Sequence, residues 1–256
     1  MELVFSQLVA MLHALWWPFC RVLAMFSAAA VLGEASVPVP VRVLLSLVMA
    51  VVLLPVAQPA VYIDPFSMAG VAATVEQVVI GGLIGLASHF IMAVVMMLGY
   101  VVASQMGLAM AIMNDPINGT SSDVVSSLLS VMYILVFFAI DGHLVFTGVV
   151  GASLQAWPVG QGWAGLSLET FAFNVAWIFA AAMLLAVPMI FSMFVVQIGF
   201  GFLNRVAPAL NLFSLGFALV TMFGLFVLSA VVRFVPEHYV RMTGRVLDML
   251  QQQMMR

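Results

Sequence analysis

Long apolar runs separated by short polar interruptions dominate the chain. Residues 78–98 are broken only by Ser88 and His89, and residues 124–140 only by three serines and one tyrosine. A membrane-spanning helix needs about 20 apolar residues, so the chain holds enough of them for roughly five to seven spans. The pattern therefore predicts an all-α membrane protein.

The lengths of these runs are unusual for independent spans. Residues 22–33 and 43–56 are too short to cross a membrane alone. Residues 78–113 and 171–203 are too long for one straight crossing, and Pro188 predicts a bend in the second of them. This combination is typical of tilted helical hairpins and broken helices within an assembly.

Polar residues predict where the helices end. Arg21 separates the first apolar run, residues 3–20, from the next one. Residues 58–77 and 152–170 are polar enough to be loops. Just after the first of these loops, three small residues allow another helix to approach closely, in the small-xxx-small manner. They are Gly81, Gly82 and Gly85.

The C-terminal segment, residues 236–256, has a different pattern. Charged side chains recur in it at intervals of four, four and three residues, at Glu237, Arg241, Arg245 and Asp248. Opposite charges at this spacing support a helix, and apolar residues lie off the charged stripe. This predicts an amphipathic helix at the membrane surface or against a partner.

The composition strengthens the membrane prediction and removes other classes. The chain is 65% hydrophobic and only 7% charged, with a mean hydropathy of +1.24. A soluble domain of this size needs more charge on its wetted exterior. The chain contains no lysine and only seven arginines. With so few basic residues, nucleic acid is not an expected partner.

No residue pattern indicates catalysis or a bound metal. The single Cys20 excludes an internal disulfide and a cysteine metal cluster, and the histidines lack the spacing of metal ligands. Neither a phosphate-binding glycine loop nor a nucleophile paired with a base is present. We therefore expect no enzymatic activity, no cofactor and no metal site.

The Met-rich segment, residues 105–123, is the most unusual interruption. Methionines at helical spacing line one face of it, a proline then ends the helix, and an Asn-Gly pair predicts a tight turn. Such a backbone break cannot face lipid. It is either a mobile loop at the mouth or waist of a pore, or an ordinary connection between two membrane helices. The candidate residues are Met106, Met110, Met113, Asn114, Asp115, Pro116, Ile117, Asn118 and Gly119.

Polar residues inside apolar runs form a second set of candidates. Arg205 needs a carboxylate on this chain or a neighbour, several carbonyls, or water; alternatively it lies in a wetted turn and reaches lipid headgroups. Asp141 and His143 are either functional ionisable groups or mark a helix end at which Gly142 permits the turn. The full set is Asn204, Arg205, Pro208, Asn211, Asp141 and His143.

The pattern N-R-x-A-P-x-L-N-x-F-S-L-G-F, residues 204–217, resembles the signature of the FliR family of flagellar and type III export membrane proteins. The resemblance covers essentially the whole chain, including the Met-rich segment and residues 140–144. Ala218 departs from the family, which commonly carries proline there, and this relaxes the entry to the last helix. Virulence secretion homologues share the pattern more loosely, so the resemblance favours the flagellar branch.

This resemblance implies a single export-gate membrane domain over residues 1–256, in which a FliP-type unit is fused to a FliQ-type unit. It implies a non-enzymatic subunit of the flagellar basal body in the bacterial inner membrane, with FliP-like, FliQ-like and FlhB-like partners. Residues 106–122 would plug the closed pore against unfolded export substrates. The alternative is a secondary transporter with a midplane site formed by Asp141, His143 and Arg205.

Overall fold

Most of the described residues lie in helices. The structure, a computed structural model, describes residues 2–33, 37–57, 63–108, 113–115, 120–122, 124–162, 167–206 and 212–255. Its helices are α1 (Glu2–Ala28), α2 (Val39–Leu53), α3 (Met68–Gln105), α4 (Val124–Ala139), α5 (Gly142–Ala156), α6 (Leu168–Val206), α7 (Leu212–Val232) and α8 (Val235–Met254). The prediction of an all-α fold is confirmed, with one small hairpin, β1 (Met113–Asp115) and β2 (Thr120–Ser122), as an addition.

Several of these helices have the length and apolarity of membrane spans. In the described part of the chain, Leu8–Ala28 of α1, the whole of α3 and the whole of α6 qualify. The number rises from three to five if each bent pair is one span, with a bend of 67° between α4 and α5 and 57° between α7 and α8. The chain is a membrane protein with broken helices, as predicted.

The predicted mismatch between run length and membrane thickness is confirmed for three helices. Helix α2 has only 15 residues. Helices α3 and α6 have 38 and 39 residues. At a rise of 1.5 Å per residue each is about 57 Å long, well beyond a hydrocarbon core of about 30 Å. The two long helices must therefore tilt or extend beyond the lipid.

Helix α1 corrects the predicted N-terminal boundary. It is continuous from Glu2 to Ala28, so Arg21 lies inside one helix and not between two runs. Pro18 also lies within it. A charged residue is tolerated in the middle of this apolar helix because its side chain is buried against polar groups of the same chain, which are described below.

The two predicted loops are shorter than expected. Helix α3 begins at Met68, so Glu76 and Gln77, assigned to a wetted loop, lie in the helix and are buried. Ser67 caps this helix, because its hydroxyl accepts a hydrogen bond from the backbone N–H of Gly70 at 3.0 Å. The second predicted loop is reduced to residues 157–167 by the end of α5 and the start of α6.

Two of the three predicted small-residue contacts bring α3 against α1. A Cβ at Gly81 would collide with the carbonyl oxygen of Arg21, and one at Gly85 would lie 2.5 Å from the carbonyl oxygen of Met25. Arg21 and Met25 are four residues apart and share a face of α1. The prediction was wrong for Gly82, where a Cβ would meet nothing within 4 Å.

The chain divides into two compact units. Unit 1 consists of Met1–Phe90, Phe137–Ala172 and Thr243–Arg256, and in it α1 packs against α2 and α5. Unit 2 consists of Ile91–Val136 and Phe173–Met242. In unit 2 the Ser126 hydroxyl of α4 donates to the carbonyl of Met96 in α3 at 2.9 Å. Each candidate site described below lies within one unit.

Candidate functional site

The Met-rich segment begins at a sharply turned helix end in unit 2. Helix α3 ends at Gln105, and Met106 and Gly107 follow as a turn, which we call the stem turn. Gly107 has a φ of +75°, the left-handed conformation that commonly follows the last helical residue. Met106 is completely buried. The chain therefore leaves α3 at a defined point in the core of unit 2.

One face of α7 holds the stem turn. The Thr221 hydroxyl donates to the carbonyl of Met106 at 3.1 Å. Gly224 leaves room for the Met106 side chain, because a Cβ at Gly224 would lie 2.5 Å from the Met106 Cγ. The Phe217 ring lies beside Gly107, 3.3 Å from where a Cβ would stand. These three α7 residues are spaced by four and three, so they lie on one side of the helix.

A side chain from α6 reaches the same helix end. The Gln197 amide donates to the carbonyl of Gln105 at 3.4 Å. The last carbonyls of a helix lack partners within it, so Gln197 and Thr221 satisfy two groups that would otherwise be left unpaired at the end of α3.

Beyond the stem turn the chain forms a short antiparallel hairpin. Strand β1 pairs with β2 in the register Met113 with Ser122, Asn114 with Ser121 and Asp115 with Thr120. The sequence predicted that the helix continues through Met113 and ends at the following proline; this was wrong, because α3 already ends at Gln105 and Met113 lies in β1. The hairpin was missed because three-residue strands carry too little alternation to be recognised. Five of the predicted loop residues lie outside the described residues, namely Met110, Pro116, Ile117, Asn118 and Gly119.

A buried polar cluster in unit 1, the Arg21 cluster, was not predicted. The Arg21 guanidinium is fully buried and donates three hydrogen bonds. Nε donates to the Gln77 side-chain oxygen at 2.8 Å, Nη1 to the Ser153 hydroxyl at 3.1 Å, and Nη2 to the carbonyl of Trp157 at 2.8 Å. It therefore joins α1 to α3, to α5 and to the segment that follows α5.

Glu76 supplies the negative charge of this cluster. One of its carboxylate oxygens accepts from the Gln77 amide at 3.1 Å and from the Gly160 N–H at 3.3 Å, and the other accepts from the Gly162 N–H at 3.1 Å. Gly160 and Gly162 have φ of +81° and +77°, which favours glycine. The Gln77 side chain therefore links the two charged groups. Its oxygen accepts a hydrogen bond from Arg21, and its amide donates one to Glu76.

The signal that could have revealed this cluster was present in the sequence. Arg21 follows an apolar run of helical length and precedes another, and a charge in such a position needs a buried partner. Glu76 and Gln77 immediately precede a long apolar run of α3 and lie five and four residues before the close contact at Gly81. The pairing itself connects residues 56 and 132 positions apart, which no local pattern identifies.

Asp141 and His143 mark the break between α4 and α5, so the helix end is confirmed. The left-handed residue is Asp141, with φ of 55°, and not Gly142. Gly142 is needed for space, because a Cβ there would lie 2.5 Å from the Phe137 ring. Asp141 is exposed, whereas the His143 Nδ1 is buried without a hydrogen-bond partner among the described residues. The His143 ring packs 5.9 Å from that of Phe138.

Asn204 and Arg205 lie in the last turn of α6 and are both exposed. Pro208 and Asn211, the other members of this predicted set, lie outside the described residues. Within the described part of the chain, no three His, Cys, Asp or Glu side chains are grouped as metal ligands would be.

Comparisons with known proteins identify relatives along almost the whole chain. The family described as bacterial export proteins, family 1, matches residues 12–246. The flagellar biosynthetic protein FliR of Pectobacterium carotovorum subsp. carotovorum is 30% identical over 240 residues, covering 92% of this chain and 90% of that protein. FliR of Escherichia coli K12 is 28% identical over 255 residues, covering 98% and 96%. The Yop proteins translocation protein T of Yersinia pestis is 27% identical over 161 residues, covering 62% and 61%.

Proposed function

Because the chain belongs to the bacterial export proteins of family 1, we propose that it forms part of the wall of a protein export gate and carries the segment that closes it. It is a membrane component of a flagellar or type III export apparatus. The closing segment in this proposal is residues 106–122, and its closed position blocks the path of unfolded export substrates.

The observation that carries the proposal is the hairpin between two apolar helices. In hydrocarbon each unsatisfied backbone group costs several kcal/mol. Strands β1 and β2 form a two-stranded sheet, so each strand has one edge whose backbone groups the other strand does not satisfy. These edges need protein or water around them. A hairpin that follows the apolar helix α3 and precedes the apolar helix α4 must therefore lie outside the hydrocarbon, and we propose that a protein-walled aqueous passage surrounds it.

The side chains of the closing segment suit a reversible seal. Methionine is unbranched and adaptable, so it can pack against surfaces that change shape. Met106 anchors the start of the segment in the core of unit 2. Met110 and Met113 complete the set of methionines that we propose for the seal. The mechanism is passive in this proposal: the chain provides wall and obstruction, and other subunits supply the energy for export.

The exposed apolar surface supports assembly with other helical subunits. Leu44 and Val52 of α2 are each 63% exposed, and Leu184 and Phe202 of α6 are 72% and 67% exposed. Helices of this kind are covered by lipid or by partner helices. We propose FliP-like, FliQ-like and FlhB-like proteins as the partners, in the bacterial inner membrane at the flagellar basal body. Arg205 is proposed to meet a carboxylate of one of them.

Deleting residues 114–122 tests the proposed function. The obstruction is lost while the helical wall is retained, so the assembled complex should conduct ions and small solutes in its closed state. The measurement is the conductance of the purified complex in planar bilayers, with the substrate absent. A variant in which the same residues are replaced by a Gly-Ser linker of equal length controls for chain length.

An unchanged closed-state conductance of the deletion variant, in a complex of normal subunit composition, would contradict the closing role. Solute uptake by the isolated chain in liposomes would instead support a transporter that uses Asp141, His143 and Arg205.

A further inference from the structure

We propose that Thr221 and Gly224 of α7 are positioning residues that hold the start of the closing segment, so that α7 sets the closed state of the gate. The inference rests on the proposed function, because it assumes that residues 106–122 obstruct the passage. Thr221 and Gly224 form a socket on α7 for Met106. Loss of this socket can be measured separately from loss of the closing segment.

The first support is the arrangement of α7 itself. Phe217, Thr221 and Gly224 all contact the stem turn, and Leu228, four residues further along the same face, is buried. Other side chains of α7 are largely exposed, with Met222 at 66% and Phe226 at 70%. Along this face Gly224 and Leu228 are buried, whereas Phe217 is still 54% exposed, and three of the four residues contact the stem turn.

The second support is the fit between Gly224 and Met106. A Cβ at Gly224 would lie 2.5 Å from the Met106 Cγ and 3.1 Å from its Sδ and Cε. The Cγ is near the root of the side chain, so a rotation of the distal thioether would not relieve the overlap. Any side chain at position 224 must therefore change the χ1 rotamer of Met106 or displace the Met106 backbone or α7, in a core whose packing leaves little free space.

The third support is the hydrogen bond that fixes the backbone of the turn. The Met106 carbonyl is one of the groups left without a helical partner at the end of α3, and the Thr221 hydroxyl satisfies it at 3.1 Å. Gly107 then reverses the chain in the left-handed conformation, against the Phe217 ring. The position of Met106 and Gly107, where the closing segment begins, is thereby set by contacts with α7.

The test compares Gly224→Ala with Gly216→Ala in the assembled complex. Both substitutions lie on α7 and gain the same helix propensity, but a Cβ at Gly216 would meet nothing within 4 Å. Spin labels at Ser104→Cys and Ser229→Cys, in a Cys20→Ala background, report the separation of α3 and α7 by pulsed electron resonance. Both labelled serines are exposed. Closed-state conductance is measured on the same preparations.

We expect Gly224→Ala to change the label separation and to raise closed-state conductance severalfold, and Gly216→Ala to change neither. Adding Met106→Ala to Gly224→Ala removes the overlapping Cγ and should restore the label separation. Thr221→Val, which keeps the shape and loses only the hydrogen bond, should give a smaller rise in conductance, and it serves as the test if Gly224→Ala fails to assemble.

An unchanged label separation in Gly224→Ala would overturn the socket. A changed separation with unchanged conductance would overturn the claim that α7 sets the closed state. The deletion of residues 114–122 decides the proposed function independently. If that deletion leaks while Gly224→Ala and Thr221→Val do not, the closing role stands and only the present inference fails.

Discussion

Arg21 and Arg205 present the same physical problem, a charge in a mostly apolar helix, and the two units solve it differently. In unit 1 Arg21 is fully buried, and three hydrogen bonds to its own chain satisfy it. In unit 2 Arg205 is exposed at the end of α6. A buried charge needs internal partners, whereas an exposed one in an apolar setting depends on groups outside the chain.

The surroundings of the two arginines extend this contrast. The Arg21 cluster joins α1 and α3 to α5 and to the segment after it, so it acts as a rigid joint within unit 1. In unit 2 the Gln105 and Met106 carbonyls lie at the end of α3, and Arg205 lies at the end of α6. We therefore expect substitutions in the Arg21 cluster to act through stability, and those at Arg205 to act through assembly.

The largest effect is expected for Arg21→Met. Removing one partner of a buried polar cluster leaves Glu76 as an uncompensated buried charge, and breaking such a pair typically costs about 3–5 kcal/mol. The measurement is the free energy of unfolding of the chain in detergent, from denaturant titration. Arg21→Met combined with Glu76→Gln should recover part of this loss, because the remaining groups are then neutral. If the single variant lowered the free energy of unfolding by less than about 1 kcal/mol, the Arg21 cluster would not be a major source of stability in unit 1.

Arg205→Leu is expected to affect stability less than Arg21→Met does, and to act mainly on assembly of the complex. The side chain is exposed, so the free energy of unfolding of the isolated chain should change by less than about 0.5 kcal/mol. The yield of the complex after mild detergent extraction should fall severalfold, because a partner's carboxylate would lose its counter-charge. Arg233→Leu, at another exposed arginine, is the matched control. Equal complex yields from the two variants would argue against a partner at Arg205.

The smallest effect is expected for Arg241→Gln. Arg241 and Glu237 form an ion pair of 2.6 Å one helical turn apart, with side chains 69% and 60% exposed. Exposed pairs at this spacing contribute about 0.3–0.5 kcal/mol, and salt screens them. The free energy of unfolding should fall by no more than this amount at low salt, and by less at high salt. A loss comparable with that of Arg21→Met would remove the contrast between buried and exposed arginines.

The helices were predictable because their signal is local. The overlong runs correspond to α3 and α6, and the short run of residues 43–56 corresponds to α2. The glycine motif predicted that another helix approaches Gly81 and Gly85, since a stripe of small residues is visible in the sequence, and the structure shows that this helix is α1. It failed at Gly82, which is adjacent to Gly81 but points away from α1, because helical neighbours lie about 100° apart.

The polar clusters were not predictable in the same way. Glu76 and Gln77 were assigned to solvent because polar residues are mostly exposed. In the folded chain they are buried because each satisfies the other, together with Arg21 and the backbone of residues 157–162. The socket for Met106 was likewise not predictable, because Gly224 lies more than a hundred residues after Met106 in the sequence. In the sequence alone it is only a glycine in an apolar helix.

The sequence by itself determined the membrane class, the main helices, the family and the presence of a backbone break in the Met-rich segment. These properties follow from hydropathy, periodicity and turn chemistry, which act between residues close together in the chain. Only the tertiary structure decided that Arg21 is buried and satisfied by its own chain, that Arg205 is exposed with no hydrogen-bond partner among the described residues, and that α7 holds the start of the Met-rich segment. The first and the last of these depend on polar groups meeting across long sequence separations, and the free energy of burying a charge is set by those distant partners.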